Sequence, residues 1–256
     1  MAGSQSLERG LEILDLLDKS PRPLGVREIS RQMDISAAIV QRLINTLAEY
    51  NYVAQDKETR RYSIGYRAFG LGWSLTRKDR LISVAKPELD RLASDHLLNC
   101  YLGVLRGGRA IYILSVQSDG PIAIRSAPGS LTYLHSTALG KALLAGLADS
   151  DAYRLLTAEP LAQVTPHTVT DPDKIMAELA DIRKSGYATV RSENIQGVIS
   201  VGAPVHDTSG SVIAALSTAF AEWSTPEFTV EEVAKLVMDS AARISQALGH
   251  QPQLPV

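Results

Sequence analysis

Apolar positions recur at helical spacing through the first fifty residues. Val40, Leu43, Ile44 and Leu47 stand at i, i+3, i+4 and i+7, which is one stripe on a helix. The opposite face holds Ala37, Ala38, Gln41, Arg42 and Asn45, with no carboxylate before Glu49. Such a face donates hydrogen bonds and carries a cation. Upstream, Leu7, Leu11, Leu14 and Leu17 predict a helix that Pro21 and Pro23 cannot continue. Residues 24–29 open a short second helix, with Gly25 as N-cap, Glu28 in the first turn and Val26, Ile29 and Met33 on its buried side. Asp34-Ile35-Ser36 makes a tight turn, and Ser36 caps the helix that follows. Helix, short turn and a longer helix with a polar outer face are helix-turn-helix spacing. The period then drops to two over residues 52–55 and 61–64, a hairpin around Asp56-Lys-Glu-Thr-Arg60. Placed there it reads as the wing of a winged helix, with Lys57, Arg60 and Arg61 at its tip for phosphate or minor-groove contact.

Residues 65–80 contain Phe69, Leu71, Trp73 and Leu75 among glycines. They predict a linker helix, irregular at Gly70 and Gly72, whose aromatics suit a dimer contact better than a cofactor. From Ile82 a second pattern begins, with a helix marked by Leu89, Leu92 and Ala93. Strands follow over 100–105 and 110–116, joined through Gly107-Gly108, a strong hairpin signal. A strand over 122–127 comes next, then helices over 136–147, 152–156 and 171–185. Strands over 187–191, 198–205 and 211–219, with a turn at Asp207-Thr-Ser-Gly210, precede a terminal helix over 229–248 and a frayed tail over 249–256. The fold class is α+β. The expected domains are a winged helix over 1–64, a linker helix over 65–81, and an effector-binding and oligomerisation domain over 82–256.

Composition narrows the chemistry. The 256 residues are 45% hydrophobic and 21% charged, as in a globular protein with sizeable cores. No apolar run approaches membrane-spanning length, and no basic segment followed by an apolar core opens the chain, so the expected location is the cytoplasm. Cys100 is the only cysteine, which excludes an intramolecular disulfide and a cysteine-rich zinc site. The net charge of −2 hides an asymmetry. Residues 1–80 hold 13 of the 26 Lys+Arg but 10 of the 28 Asp+Glu, so an anionic partner is expected for that part alone. The five histidines lack metal-ligand spacing. His135-Ser136 lies outside any nucleophile elbow, and Ser136 reads as a helix cap. Leu139-Gly-Lys-Ala142 lacks the earlier glycine and the final hydroxyl of a P-loop. No enzyme, metal or cofactor is expected.

Seven blocks resemble the IclR family of bacterial transcription regulators, in order and spacing, from Ser6 to about Leu248. They are Ser6-Leu-Glu-Arg-Gly-Leu-Glu-Ile-Leu14, Asn51-Tyr-Val53, Leu134-His-Ser-Thr-Ala-Leu-Gly-Lys-Ala142, His167-Thr-Val-Thr-Asp171, Ile182-Arg-Lys-Ser-Gly-Tyr187, Gly202-Ala-Pro-Val205 and Ala214-Ala-Leu-Ser217. The resemblance implies a winged helix, a C-terminal GAF-like effector domain, and dimers or dimers of dimers on a palindromic double-stranded operator. It also marks departures. Where the family's recognition helix starts Lys-Ser-Thr, this chain has Ala37, Ala38 and Ile39, and Gln41 and Arg42 take the usual His-Arg positions. DNA contact is then expected from Ser36, Ala37, Gln41, Arg42 and Asn45 on the helix and from Lys57, Arg60 and Arg61 on the wing, with Gln suited to adenine and Arg to guanine. Arg60 replaces a wing glycine. The family's effector site maps onto Ala138, Leu139, Val190, Ser200, Ser217 and Ala219, and effector contact is expected also from Ser136 and Thr137, one or other of which caps a helix whose free N–H groups favour an anion. Val190 replaces a carboxylate, Ser200 a cysteine and Ala219 a serine. The expected ligand is a small carboxylate with an apolar or aromatic body, controlling a repressor rather than an activator. The alternative is a constitutive DNA-binding dimer whose GAF-like domain is structural.

Overall fold

The computed structural model describes residues 3–120, 124–223 and 229–251. The chain divides into two compact units, Met1–Asp79 and Arg80–Val256.

In the first unit, helices α1 (Gln5–Lys19), α2 (Val26–Met33) and α3 (Ala37–Glu49) precede strands β1 (Val53–Gln55) and β2 (Tyr62–Ile64) and helix α4 (Tyr66–Lys78). Asp34 ends α2 in the left-handed conformation (φ 51°), and Ser36 caps α3 by accepting from the Ile39 N–H at 3.4 Å. The two strands pair antiparallel, Val53 opposite Ile64, and Leu24 bridges to Tyr62 on the far side of β2. The core is Ile13, Leu17, Leu24, Ile29, Val40, Ile44, Val53 and Tyr62.

Two expectations about helices need correction. In α1 the buried side runs through Gly10, Ile13 and Leu17, whereas Leu7 and Leu11 are exposed. The leucine repeat marked a stripe that is only half core. Helix α4 runs unbroken through Gly70 and Gly72, because a single glycine lowers helix propensity by about 1 kcal/mol without forbidding the conformation. None of its residues is buried. It falls within the first unit, and the second begins at Arg80 with α5 (Arg80–His96) rather than at Ile82.

The second unit is a six-stranded antiparallel sheet in the order β5-β4-β3-β8-β7-β6. Its strands are β3 (Asn99–Arg106), β4 (Arg109–Val116), β5 (Leu131–Thr132), β6 (Ala188–Arg191), β7 (Val198–His206) and β8 (Val212–Ala221). Gly107 (φ 57°) and Gly108 (φ 76°) supply the two positive φ angles that a tight β3–β4 hairpin needs. Side chains alternate across a strand. Cys100, Leu102 and Val104 of β3 therefore join Leu216 of β8 and face α5 and α9 (Val230–Ala247). Tyr101 faces the other way, with Ala215 and Ala219, toward α6 (Ala138–Ala145), α7 (Asp149–Thr157) and α8 (Pro172–Ser185).

Three further expectations shift. The strand over 122–127 is partly outside the described residues, and residues 124–127 carry no strand; the edge position beside β4 belongs to β5 instead. The helix expected over 136–147 is α6, which starts at Ala138 because the cap is Thr137, not Ser136. Residues 249–251 of the expected frayed tail are described and tied down: the His250 N–H donates to the Ser245 carbonyl at 2.9 Å, and its ring stacks on His206.

Candidate nucleic-acid interface and ligand cavity

On α3 the expected contact residues Ala37, Gln41, Arg42 and Asn45 are all exposed on one face, and Ser36 sits at the helix's entry. Gln41 does not stand free. Its Nε2 donates to Asn45 Oδ1 at 2.7 Å and to the Tyr62 hydroxyl oxygen at 3.3 Å. Lys57 and Arg60 lie exposed on the hairpin turn, and Arg60 is left-handed (φ 57°) as its glycine-like position implied. The turn is braced by Asp56, whose Oδ1 accepts from the Thr59 N–H at 2.7 Å.

Arg61 is placed differently from its neighbours. Its guanidinium turns back to α2, donating to Glu28 at 2.8 Å and to the Pro23 carbonyl at 3.0 Å. Glu28 also receives the Gly25 N–H at 2.9 Å and Arg22 at 3.0 Å. Those bonds, the Gly25 N–H foremost and then Arg22, hold its carboxyl at about 2. Arg61 thus fastens the hairpin to α2. A groove of about 400 Å³ runs between α2, α3 and the hairpin, and it includes Arg27, Gln41, Arg60, Arg61 and Tyr62. Arg27 was not foreseen, because on a helix read for its buried side an exposed cation carries no periodic signal.

The second unit holds a cavity of about 50 Å³ against the sheet. Thr137, Ala138, Leu139, Val190, Ser200, Ser217 and Ala219 all line it. Ser136 does not; its hydroxyl donates to Asn194 Oδ1 at 3.4 Å. Helix α6 can point its first turn into this space because β7 has no side chain in the way. A Cβ on Gly202 would sit 2.7 Å from the Ala138 carbonyl oxygen. Thr137 caps the helix by accepting from the Gly140 N–H at 3.0 Å. The N–H groups of Ala138 and Leu139 lie in the first turn, where no intrahelical acceptor exists, so the chemistry of this end suits an anion.

The opposite wall was missed. Tyr101 and Tyr112, from β3 and β4, put their ring centres 5.4 Å apart, and the Tyr101 hydroxyl donates to the Ile124 carbonyl. Burial pushes both phenols above their ordinary range, so they are neutral donors. Strand alternation could have assigned Tyr101 to this face. Tyr112 could not be placed so simply, because the β3–β4 register shifts after Leu102.

Behind the cavity lies a buried cation. Lys141, one turn along α6 and 1% exposed, donates to Glu193 at 2.8 and 2.9 Å and to Glu178 at 2.6 Å. Glu193 is followed by Asn194 and Ile195, which line the cavity. Thr165 and Thr168 hold the same loop, donating to the Ser192 and Glu193 carbonyls at 2.6 Å each. His135 packs nearby, its Nε2–H donating to the Ala162 carbonyl at 3.0 Å, and burial lowers its basicity. Among the described residues no group of three potential metal ligands gathers. No helix there is long and apolar enough to cross a membrane.

Against known proteins, the profile of the IclR helix-turn-helix domain matches residues 6–57, and that of the bacterial transcriptional regulator IclR C-terminal matches residues 74–246. The transcriptional repressor AllR of Escherichia coli (strain K12) is 30% identical over 249 residues, 96% of this chain and 91% of AllR. The crystal structure of an IclR transcriptional regulator from Alicyclobacillus acidocaldarius superposes with a TM-score of 0.83 at 27% identity, covering 97% of this chain and all of that one (100%). An IclR homologue from Microbacterium hydrocarbonoxydans, crystallised with 4-hydroxybenzoate, shares the fold with a TM-score of 0.82 at 20% identity, covering 95% and 99%.

Proposed function

Because the chain belongs to the IclR family of bacterial transcriptional regulators, we propose that it is a ligand-responsive repressor. It is a DNA-binding regulator with a C-terminal effector domain and not an enzyme. In this reading α3 and the wing bind a palindromic operator, and a small carboxylate in the cavity changes that affinity. Repression is favoured by the name of the 30% identical AllR. The observation that carries the sensing role is the cavity itself: seven separately placed positions, from α6, β6, β7 and β8 and the cap of α6, converge on one space beside a helix N-terminus.

The walls favour an acid with a short apolar body. At about 10–15 Å³ for each water, a 50 Å³ cavity holds only a handful of heavy atoms. An aromatic acid exceeds this volume and would need the walls, Tyr101 and Ile124 among them, to move apart. Calorimetric titration with acetate, butyrate, benzoate and 4-hydroxybenzoate should show butyrate binding more tightly than acetate, and the bound acid should shift operator affinity in a gel-shift assay. A preference for acetate refutes the apolar wall. An effector must bind the two operator-affinity states unequally. If no acid changes operator affinity, the small cavity supports the second reading, a constitutive DNA-binding dimer with a structural C-terminal domain.

Self-association follows from α4. Tyr66, Phe69, Leu71, Trp73 and Leu75 are 44–92% exposed. Phe69 and Trp73 stack at 6.2 Å, one turn apart. A second copy covers this face and brings two α3 helices to a two-fold symmetric operator, as a homodimer or a dimer of dimers. Phe69→Ser with Trp73→Ser should sediment as a smaller species and lose operator binding; unchanged sedimentation removes this face from the assembly.

A further inference from the structure

The wing touches the outer face of α3 through one phenol. Tyr62 is 3% exposed, on β2, and its hydroxyl oxygen accepts from Gln41 Nε2 at 3.3 Å. The same nitrogen donates to Asn45 Oδ1, one helical turn on, at 2.7 Å. A primary amide has two N–H donors and one carbonyl oxygen. Both Gln41 donors are therefore spent within the protein. What Gln41 presents outward is Oε1, an acceptor. Asn45, with its Oδ1 engaged, presents Nδ2, a donor.

This matters for the code in the major groove. Adenine offers an N7 acceptor and an N6 amine, and glutamine meets both when its donor and acceptor are free. Cytosine offers only its N4 amine, while guanine and thymine offer carbonyl acceptors. A glutamine that can only accept meets the amine of adenine or of cytosine equally. It is repelled by the carbonyls of guanine and thymine.

We propose that Tyr62 is a positioning residue for base recognition: by holding the Gln41 amide, it makes the base pair beneath Gln41 read as amine against carbonyl rather than as adenine alone. This rests on α3 being the helix that reads DNA. It replaces the simple pairing of glutamine with adenine that the residue type suggests.

The test is selection from random double-stranded DNA with the wild type and three full-length variants. The wild type should enrich a half-site in which one strand accepts adenine and cytosine at one position and excludes guanine and thymine. Tyr62→Phe keeps the ring in the core and removes the oxygen, which frees one Nε2 proton. It should narrow that position to adenine, favouring it over cytosine by roughly tenfold, the size of one added base contact. Asn45→Ala frees the other proton without touching the core and should narrow the same position, so the test survives if Tyr62→Phe folds poorly. Gln41→Ala should make the position indifferent. A position that is adenine-only in the wild type and unchanged in both Tyr62→Phe and Asn45→Ala overturns the inference while leaving α3 as the reading helix. If Gln41→Ala changes no position, or nothing is enriched, the reading of α3 itself fails, and the inference with it.

Discussion

Arg60 sets the proposed phosphate contact against the strain of its own backbone. Its φ of 57° lies where a Cβ crowds the following carbonyl, at about 1–2 kcal/mol for an L-residue. Arg60→Gly removes both the crowding and the cation. Thermal melting of the first unit should rise slightly, by a few tenths to about 1 kcal/mol after the added freedom of glycine in the unfolded chain. Operator affinity should fall across sequences, with the slope of log affinity against log salt reduced by about one. A fall in both would mean that Arg60 holds the turn rather than the phosphate. Arg61 behaves differently, because Glu28 and Pro23 already occupy its guanidinium. The Glu28 carboxyl is held at about 2, against an ordinary 4.5. A depressed carboxyl contributes stability that is complete above the unfolded value and lost as pH falls through the folded one. Acid unfolding of the wild type should therefore show an extra pH dependence between 4.5 and about 2 that Glu28→Gln lacks. Lys141 lies at the opposite extreme of burial. Lys141→Met leaves Glu193 charged and without its cation, a loss of about 3–5 kcal/mol in urea unfolding of the second unit. Pairing it with Glu193→Gln should recover much of that loss.

Between elements, the decisive fit is α6 against β7. The Gly202 Cα lies where any Cβ would meet the Ala138 carbonyl at 2.7 Å, and Gly103 likewise leaves room for the Leu139 side chain. Gly202→Ala should push the first turn of α6 off the sheet, costing about 1–3 kcal/mol as overpacking does, and should abolish acid binding while leaving isolated DNA contacts intact. Calorimetry and gel shift on the same variant separate the two. Elements with strong periodicity or a diagnostic turn were legible from the chain alone: α3 from its i, i+3, i+4, i+7 stripe and the β3–β4 hairpin from Gly107-Gly108; of the eight effector positions that the family resemblance implied, seven line one cavity and Ser136 does not. What was not legible depended on partners far away in the chain. Lys141 reads as a surface lysine until Glu178 and Glu193 arrive from α8 and the loop after β6. Tyr112 needs the β-bulge to be placed. The two-residue β5 is too short to show an alternation, so the strand was expected several residues earlier. Leu7 and Leu11 obey the helical period and yet face outward, because periodicity reports that a face is apolar and not what covers it.

At the scale of the whole molecule, basic character and the helix-turn-helix share the first unit, and the cavity lies in the second. In the proposed reading the acid and the bases occupy separate units, so any influence of the acid on DNA would be a coupling free energy between two sites. The magnitude usual for such coupling, about 1–3 kcal/mol, is a 5- to 150-fold change in operator affinity, which a titration of half-saturation against added acid resolves. In the proposed dimer, helix α4 would add a second kind of control. It has 13 residues, two glycines and not one buried side chain. Isolated helices shorter than about 12–15 residues are marginal in water even without glycine. Its folding is thus tied to whatever covers it, and dilution should lower the far-ultraviolet helical signal of this protein before any other part unfolds. If that dimer forms, the number of copies in the cell becomes an input in its own right: below some abundance the chain would keep an intact cavity and an intact α3, yet lack the pairing that the proposed two-fold operator demands.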